Sequence, residues 1–458
     1  MRTGELGYWW RSLGGPPPAR APLAGPREAD VAIVGAGYTG LWTAYYLKRA
    51  CPSLEVAVLE REVAGFGASA RNGGWVSGFF SGPARTYERR GGREGYVALQ
   101  RAMFATVREI ARVIDAHAID AALVPGGALT VALDDAQAQR LRDDLERSRA
   151  HGLDEHDLRE LSRGELHERV RIAGARGATF SPHVSRVHPA KLLTGLAATV
   201  EGLGVRIYER TPVSAIRPHE ALTSAGTVRA RWVVRATEGY TASLPGLRRV
   251  LAPVNSSMIV TEPLTPSVWA EIGWRGCEVI ADGAHAFVYL QRTEDGRIAI
   301  GGRGVPYRFG SRTDGAGATA SRTIASLRAK LAAMFPATAD AELEHAWSGV
   351  LGVARDWCVS VDAEPTTGLA WAGGYAGEGL AASNLAARML CELILDERGA
   401  LTALPWVGRR PRRWEPEPLR WAAIHAAYRL YRYADRRERR TGRPSRLGRA
   451  VDAASGRR

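Results

Sequence analysis

Residues 30–60, DVAIVGAGYTGLWTAYYLKRACPSLEVAVLE, decide how the rest of the chain is read. The run 31–34 is short and apolar, which predicts a buried strand. Gly35, Gly37 and Gly40 follow at GxGxxG spacing. Residues 41–50 predict a helix, and Val56–Leu59 a second strand ending in the acid Glu60. The whole is a βαβ unit, and each part has a physical task. Gly35 permits the tight turn, Gly37 lets a pyrophosphate approach the backbone, and Gly40 allows helix and strand to pack closely. The helix start, with Tyr38 and Thr39, offers unpaired N–H groups and a partial positive charge to phosphates. Glu60 stands 20 residues beyond Gly40, where a carboxylate can accept bonds from a ribose, with Arg61 next to it. A lone glycine motif is weak, and its competing reading is a structural turn. The strand before it and the acid after it favour a bound dinucleotide.

The 458 residues suit two or three domains rather than one core. No apolar run reaches the roughly 18 residues of a membrane span, and the N-terminus lacks a signal-peptide core. A cytoplasmic location is the default expectation. Cys51, Cys277, Cys358 and Cys391 are scattered, so free thiols are expected rather than disulfides or a metal site. The net charge of +14 is uneven. Residues 405–458 hold 16 Arg and 5 acids, a local +11, which leaves +3 for the other 404. The chain is thus a nearly neutral body with a basic tail. Its three lysines (Lys48, Lys191 and Lys330) make that basic character almost wholly arginine, as a genomic bias would.

Residues 1–29 read as a Pro/Gly-rich arm that Tyr8, Trp9 and Trp10 anchor on the body. Residues 63–80, VAGFGASARNGGWVSGFF, are too glycine-rich for a regular element. Small side chains let this backbone lie against a flat or charged ligand, and Arg71 and Asn72 add polar groups. Helices are expected at 95–117, 134–151, 189–202 and 319–335. Residues 255–261, 286–292 and 297–301 read as strands, with Glu294-Asp295-Gly296 as a hairpin turn. Near the end, WAGGYAGEGLAASNLAARMLCELILDE runs from strand through a second glycine turn into a helix.

The pairing of DVAIVGAGYTG with FGASARNGG resembles the D-amino-acid-oxidase-like superfamily of FAD-dependent oxidoreductases. It is closest to the branch containing gamma-glutamylputrescine oxidoreductase, whose usual FGASGRNGG has Ala70 here in place of glycine. The second glycine turn resembles that family's C-terminal motif, with Leu380 for Val and Ala387 for Gly. The resemblance spans about residues 30–404. It implies an α/β fold in which a Rossmann-type FAD domain carries an inserted antiparallel-sheet substrate domain. The expected division gives the FAD domain 30–90, 170–245 and 345–404, and the substrate domain 91–169 and 246–344. Beyond the phosphate turn, it implies flavin contacts at Ser69, Arg71, Asn72, Gly73 and Gly74. It adds Val213 at the adenine and Thr237 at the end of an ATEGYT strand, where Glu238 departs from the pattern. At the ring it implies Gly374, Tyr375, Gly377, Glu378, Gly379 and Leu380.

The implied chemistry is hydride transfer from a C–H beside nitrogen to flavin N5, giving an imine that water hydrolyses. The implied partners are a small amine or amino acid, and an electron acceptor that is O2 or a carrier. Tyr289, Arg303 and Arg355 are the candidate catalytic residues. Arg303 stands in GGRG after a strand, where a guanidinium meets an anionic group or, alternatively, forms a structural ion pair. Against that role, Tyr289 reads as a sheet-core aromatic, and Arg355 as the partner of Asp356 in a structural pair near the flavin. No lysine falls in the roof strands, so oxidase and dehydrogenase stay open. In the tail, Trp421, Ile424, Tyr428 and Tyr431 fall at helical spacing, which predicts a helix docked on the body. A membrane surface, an acidic partner and RNA are the alternatives, RNA giving a second reading as an RNA-modifying flavoprotein.

Overall fold

The computed structural model describes residues 1–313 and 315–457. The strand Arg27–Val34 lies between Val56–Leu59 and Gly226–Arg235, parallel to both. Arg206–Tyr208 extends this layer past Val56–Leu59, and Leu369–Gly373 joins it on Gly226–Arg235, again in parallel. Val31, Ala32 and Ile33 are wholly buried. An unbroken apolar run is what a strand covered on both faces requires. The helices Tyr38–Ala50 and Gly379–Ile394 pack against each other on this layer. Gly40 lets the first of these helices lie close on its own strand and turn, since a Cβ there would sit 2.0 Å from the Gly35 carbonyl oxygen and 3.2 Å from Ile33.

The second layer is a nine-stranded sheet. Ala252–Thr261 runs antiparallel between Leu343–Val353 and Ile298–Gly302. The expected hairpin joins Val288–Arg292 to Ile298–Gly302. Val279–Asp282, Ala128–Ala132, Gly177–Ser181 and Arg159–Leu161 continue it on one side, and Arg2–Thr3 ends it on Leu343–Val353. All pairings are antiparallel except those of Val279–Asp282 with Ala128–Ala132 and of Arg2–Thr3 with Leu343–Val353. Two strands therefore sit across the expected domain boundaries. Leu343–Val353 and Gly177–Ser181 both belong to this sheet, pairing with Ala252–Thr261 and Ala128–Ala132, 82 to 101 and 45 to 53 residues earlier in the chain.

The arm is folded back onto the body. Tyr8, Trp9 and Trp10 form a short buried helix, and Trp9 and Tyr8 meet Trp347 edge to face or tilted. The tail forms the helices Leu419–Thr441 and Arg446–Ser455. Trp414, Ile424, Tyr428, Tyr431 and Val451 are buried against Ala252, Val254, Tyr307 and Val353 of the second layer. The docking face thus follows the apolar spacing at Ile424, Tyr428 and Tyr431, but not at Trp421, which is exposed; Trp414, ahead of the helix, fills the cluster instead. No helix of the described residues is long and apolar enough to cross a membrane.

Candidate active site

One cavity runs between the two layers, from Glu60 and Arg61 at one end past Gly37 to Gly377, Gly379 and Leu380. Its first wall is the GxGxxG turn. Gly35 holds φ +108, and a Cβ there would strike the Ala236 carbonyl oxygen at 2.6 Å. At Gly37 a Cβ would meet Ser69 Oγ at 2.8 Å. The Tyr38 N–H donates to that same Ser69 oxygen over 3.0 Å, tying turn to glycine-rich loop. Glu60 accepts the N–H groups of Ala36 and Glu62, at 2.9 and 3.0 Å. Burial raises its pKa despite those bonds. Val213 and Thr237 line the same end.

The loop after it is self-supporting. Asn72 Nδ2 donates to the Ser69 carbonyl, and its Oδ1 accepts the Gly74 N–H, each over 2.7 Å. Arg71 donates to the carbonyls of Gly315 and Ser348, with its guanidinium 4.7 Å from the Phe66 ring centre. Both side chains therefore hold the loop's shape. Gly73 lines the cavity against the Tyr289 ring, which a Cβ would meet at 2.9 Å.

The second glycine turn closes the far end. Gly374 and Gly377 take φ +85 and +122, and Ala376 takes +52. The helix Gly379–Ile394 starts here without a side-chain cap. Its first N–H groups thus keep the unpaired, partly positive character that suits an electron-rich ring edge. The two turns touch: Thr39 Oγ1 and the Tyr375 hydroxyl share a buried hydrogen bond of 3.1 Å. They lie 336 positions apart in the chain.

Glu238 holds this second turn in place. It accepts the N–H groups of Gly374 and Tyr375 at 3.1 and 3.0 Å. Burial pushes its carboxyl up to about 7, and burial lowers the neighbouring Arg235 to about 10. Sequence reading treated Glu238 as a mere departure. The signal it offered was an acid set between an apolar strand end and Gly239.

At the head of the cavity, the Tyr289 and Ser256 hydroxyls share a hydrogen bond of 2.9 Å. Tyr289 packs edge-on against Trp75. Arg303 donates to the Asn255 carbonyl over 3.4 Å and stands over Gly377, its Nη2 4.0 Å from where a Cβ there would lie. Glu378 lines the same head, and burial raises its pKa while Ser77 and Arg303 oppose that rise. A cation and a carboxylate thus meet at one end of an otherwise aromatic pocket.

Four expected residues lie off the cavity lining. Arg355 does not reach it: the side chain pairs with Glu415 at 2.9 Å and lies over Trp414, both in the tail. Its expected partner Asp356 is taken by Arg409. Gly374 spends its N–H on Glu238, Gly40 serves helix packing, and Gly74 faces Gln291 and the Val187 carbonyl. The lysines stand apart from the lining as well, Lys191 paired with Asp120 and Glu294, and Lys330 donating to the Ala286 carbonyl.

The parallel layer, the antiparallel roof and the two turns define a flavin-dependent oxidoreductase. The family model described as FAD dependent oxidoreductase (DAO) matches residues 30–393, and the chain belongs to that family, with FAD as its cofactor. Gamma-glutamylputrescine oxidoreductase of Escherichia coli is 28% identical to it, over 87% of this chain and 91% of that protein. Glycine oxidase of Geobacillus kaustophilus is 25% identical over 82% of this chain and 96% of its own. The crystal structure of that glycine oxidase superposes with a TM-score of 0.70 at 22% identity, covering 84% of this chain and 99% of its own. L-proline dehydrogenase from P. horikoshii gives 0.67 at 19%, covering 83% and 98%. These two likenesses are of fold.

The residues present fit FAD. Side-chain-free positions at Gly37 and Gly377 leave backbone exposed to the cavity, and a helix N-terminus faces it at each end. Gly37 and Tyr38 with Ser69 would hold the phosphates, Glu60 the ribose, and Gly377 to Leu380 the ring edge.

Proposed function

We propose that the protein oxidises the C–N bond of a small amine or amino acid, giving an imine that water hydrolyses. FAD, when bound, accepts the hydride from the carbon beside nitrogen. The protein's own work is positioning and electrostatics. Arg303 binds an anionic substrate group, and the Glu378 carboxylate receives an ammonium proton so that the reacting nitrogen is neutral. Trp75, Phe287 and Tyr289 form the apolar sides that exclude water. The N–H groups at the start of Gly379–Ile394 offset the negative charge that arrives with two electrons. Relatives named for gamma-glutamylputrescine and for glycine support an amino compound as substrate.

The observation that carries this reading is the Thr39–Tyr375 hydrogen bond, which fixes phosphate turn and ring turn on one cavity headed by Arg303 and Glu378. The test is an anaerobic screen of amines and amino acids against the flavin-loaded protein, read as loss of flavin absorbance at roughly 450 nm. Bleaching by at least one carboxylate-bearing amine is expected. A flavin that dithionite reduces but no amino compound does would overturn the reading.

A further inference from the structure

The tail sorts its charges. Every acid of residues 405–457 is used against the body or within the tail itself. Glu415 pairs with Arg355 and Glu417 with Arg420 and Tyr307. Asp435 accepts the N–H groups of His285 and Ala286. Glu438 takes Arg140 and His285, and Asp452 the Tyr431 hydroxyl. The outward arginines show the opposite pattern. Arg429, Arg436, Arg437, Arg439 and Arg440 are exposed, and among the described residues none of their guanidinium groups has an acidic partner within ion-pair distance. Arg409 and Arg410 do meet acids of the body, but the helix Leu419–Thr441 carries those five exposed arginines outward while the tail's acids are turned in.

A second observation lies on the same helix. Seven large hydrophobic residues are exposed among the described residues, and Leu419, Trp421, Leu430 and Tyr433 of the helix Leu419–Thr441 are four of them. A fifth, Phe309, stands beside Gly310, whose N–H donates to Glu417 at the foot of that helix. Leu419, Ala423, Ala426, Leu430 and Tyr433 recur every three or four positions and are all exposed, so they form one stripe along the outer side. The stripe is apolar over the first half of the helix and continues into Arg437 and Arg440.

We propose that this outer face of the C-terminal helix docks in the interface of an anionic lipid bilayer, lying parallel to it. An interfacial helix needs aliphatic and aromatic side chains at headgroup depth and arginines for the lipid phosphates, and this one presents both. A second copy of the chain does not suit the face, because it would set arginine against arginine. Nucleic acid has use for the arginines and ring faces but none for exposed Leu419 and Leu430. None of the stripe residues lines the cavity.

The test is co-sedimentation of the full-length, FAD-loaded protein with vesicles of phosphatidylcholine alone or mixed with phosphatidylglycerol. Binding is expected to be on the order of tenfold or more stronger with the anionic lipid, and to weaken as salt rises. Two variants separate the contributions, Arg436→Glu with Arg437→Glu and Arg440→Glu, and Leu430→Ser with Tyr433→Ser. Each is expected to lose most of the binding while keeping the flavin spectrum and turnover, since none of these residues lines the cavity. No preference for anionic vesicles would overturn the proposal. So would full binding by the Leu430→Ser, Tyr433→Ser variant, or equal retention of the wild type by single-stranded RNA, since both mean general polyanion attraction.

Discussion

Glu238 spends both oxygens on the backbone of the ring turn, and that fixes what its removal does. Glu238→Ala leaves two buried N–H groups unpaired, at about 1–3 kcal/mol each. The turn then loosens, and FAD affinity is expected to fall on the order of tenfold or more by fluorescence titration. Glu238→Gln keeps an acceptor and should fall between. The same residue sets a pH dependence. Its folded pKa of about 7 exceeds the ordinary 4.5, so the folded state holds the proton more tightly than the unfolded chain. The contribution of Glu238 to stability is therefore greatest below pH 4.5 and declines as pH rises toward 7, by at most about 3 kcal/mol. The test is the difference between the two proteins, because His188 acts in the opposite direction over the same window: the melting temperature of Glu238→Gln should gain on that of the wild type as pH rises from 4.5 to 7. The phosphate turn was readable because its glycines, helix start and acid are neighbours in sequence. Glu238 was not, since the N–H groups that explain it come 136 and 137 positions later.

Among the elements, the arm and the helix Pro189–Gly202 share one titratable joint. His188 caps that helix by accepting the Lys191 N–H at Nδ1, and its Nε2 lies 2.9 Å from Ser12 Oγ of the arm. Trp9 packs edge-on against the ring. Burial lowers the His188 pKa to about 4, with Lys191 pushing the same way and Glu294 and Asp295 opposing. A depressed histidine favours the folded state above its ordinary 6.5 and loses that advantage as pH falls toward 4. The expected loss is about 3 kcal/mol over the window. His188→Asn, which keeps a capping acceptor, should flatten the acid limb of the melting profile. An unchanged acid limb would place the titration elsewhere. The tail helix gives a packing test. Tyr428 is 6% exposed in the cluster with Val254 and Trp414, so Tyr428→Ala should lower stability by about 3 kcal/mol in denaturant unfolding. Its spacing with Ile424 and Tyr431 was visible in the sequence as a helical face. What that face meets was not, because Ala252 and Val353 belong to distant strands.

At the scale of the molecule, the cavity that fits FAD is one that neither layer forms alone, and this is why the domain limits were hard to read. Strands carry no local mark of their partners: Leu343–Val353 looks like any apolar run until it is paired with Ala252–Thr261. The tail adds a second dependence, because it lies beyond the matched residues 30–393 yet takes Arg355 through Glu415 and touches Ala376 in the ring turn. Arg355 looked catalytic only while the tail's position was unknown. The most direct measurement is FAD binding by two variants, one at each glycine turn. Gly37→Val drives a side chain into Ser69, and Gly377→Val forces a branched residue to φ +122. If the turns hold one cofactor between them, the wild type binds one FAD per chain and each variant, folded by circular dichroism, loses most of that affinity. A folded Gly377→Val protein that binds FAD as tightly as the wild type would contradict the shared site.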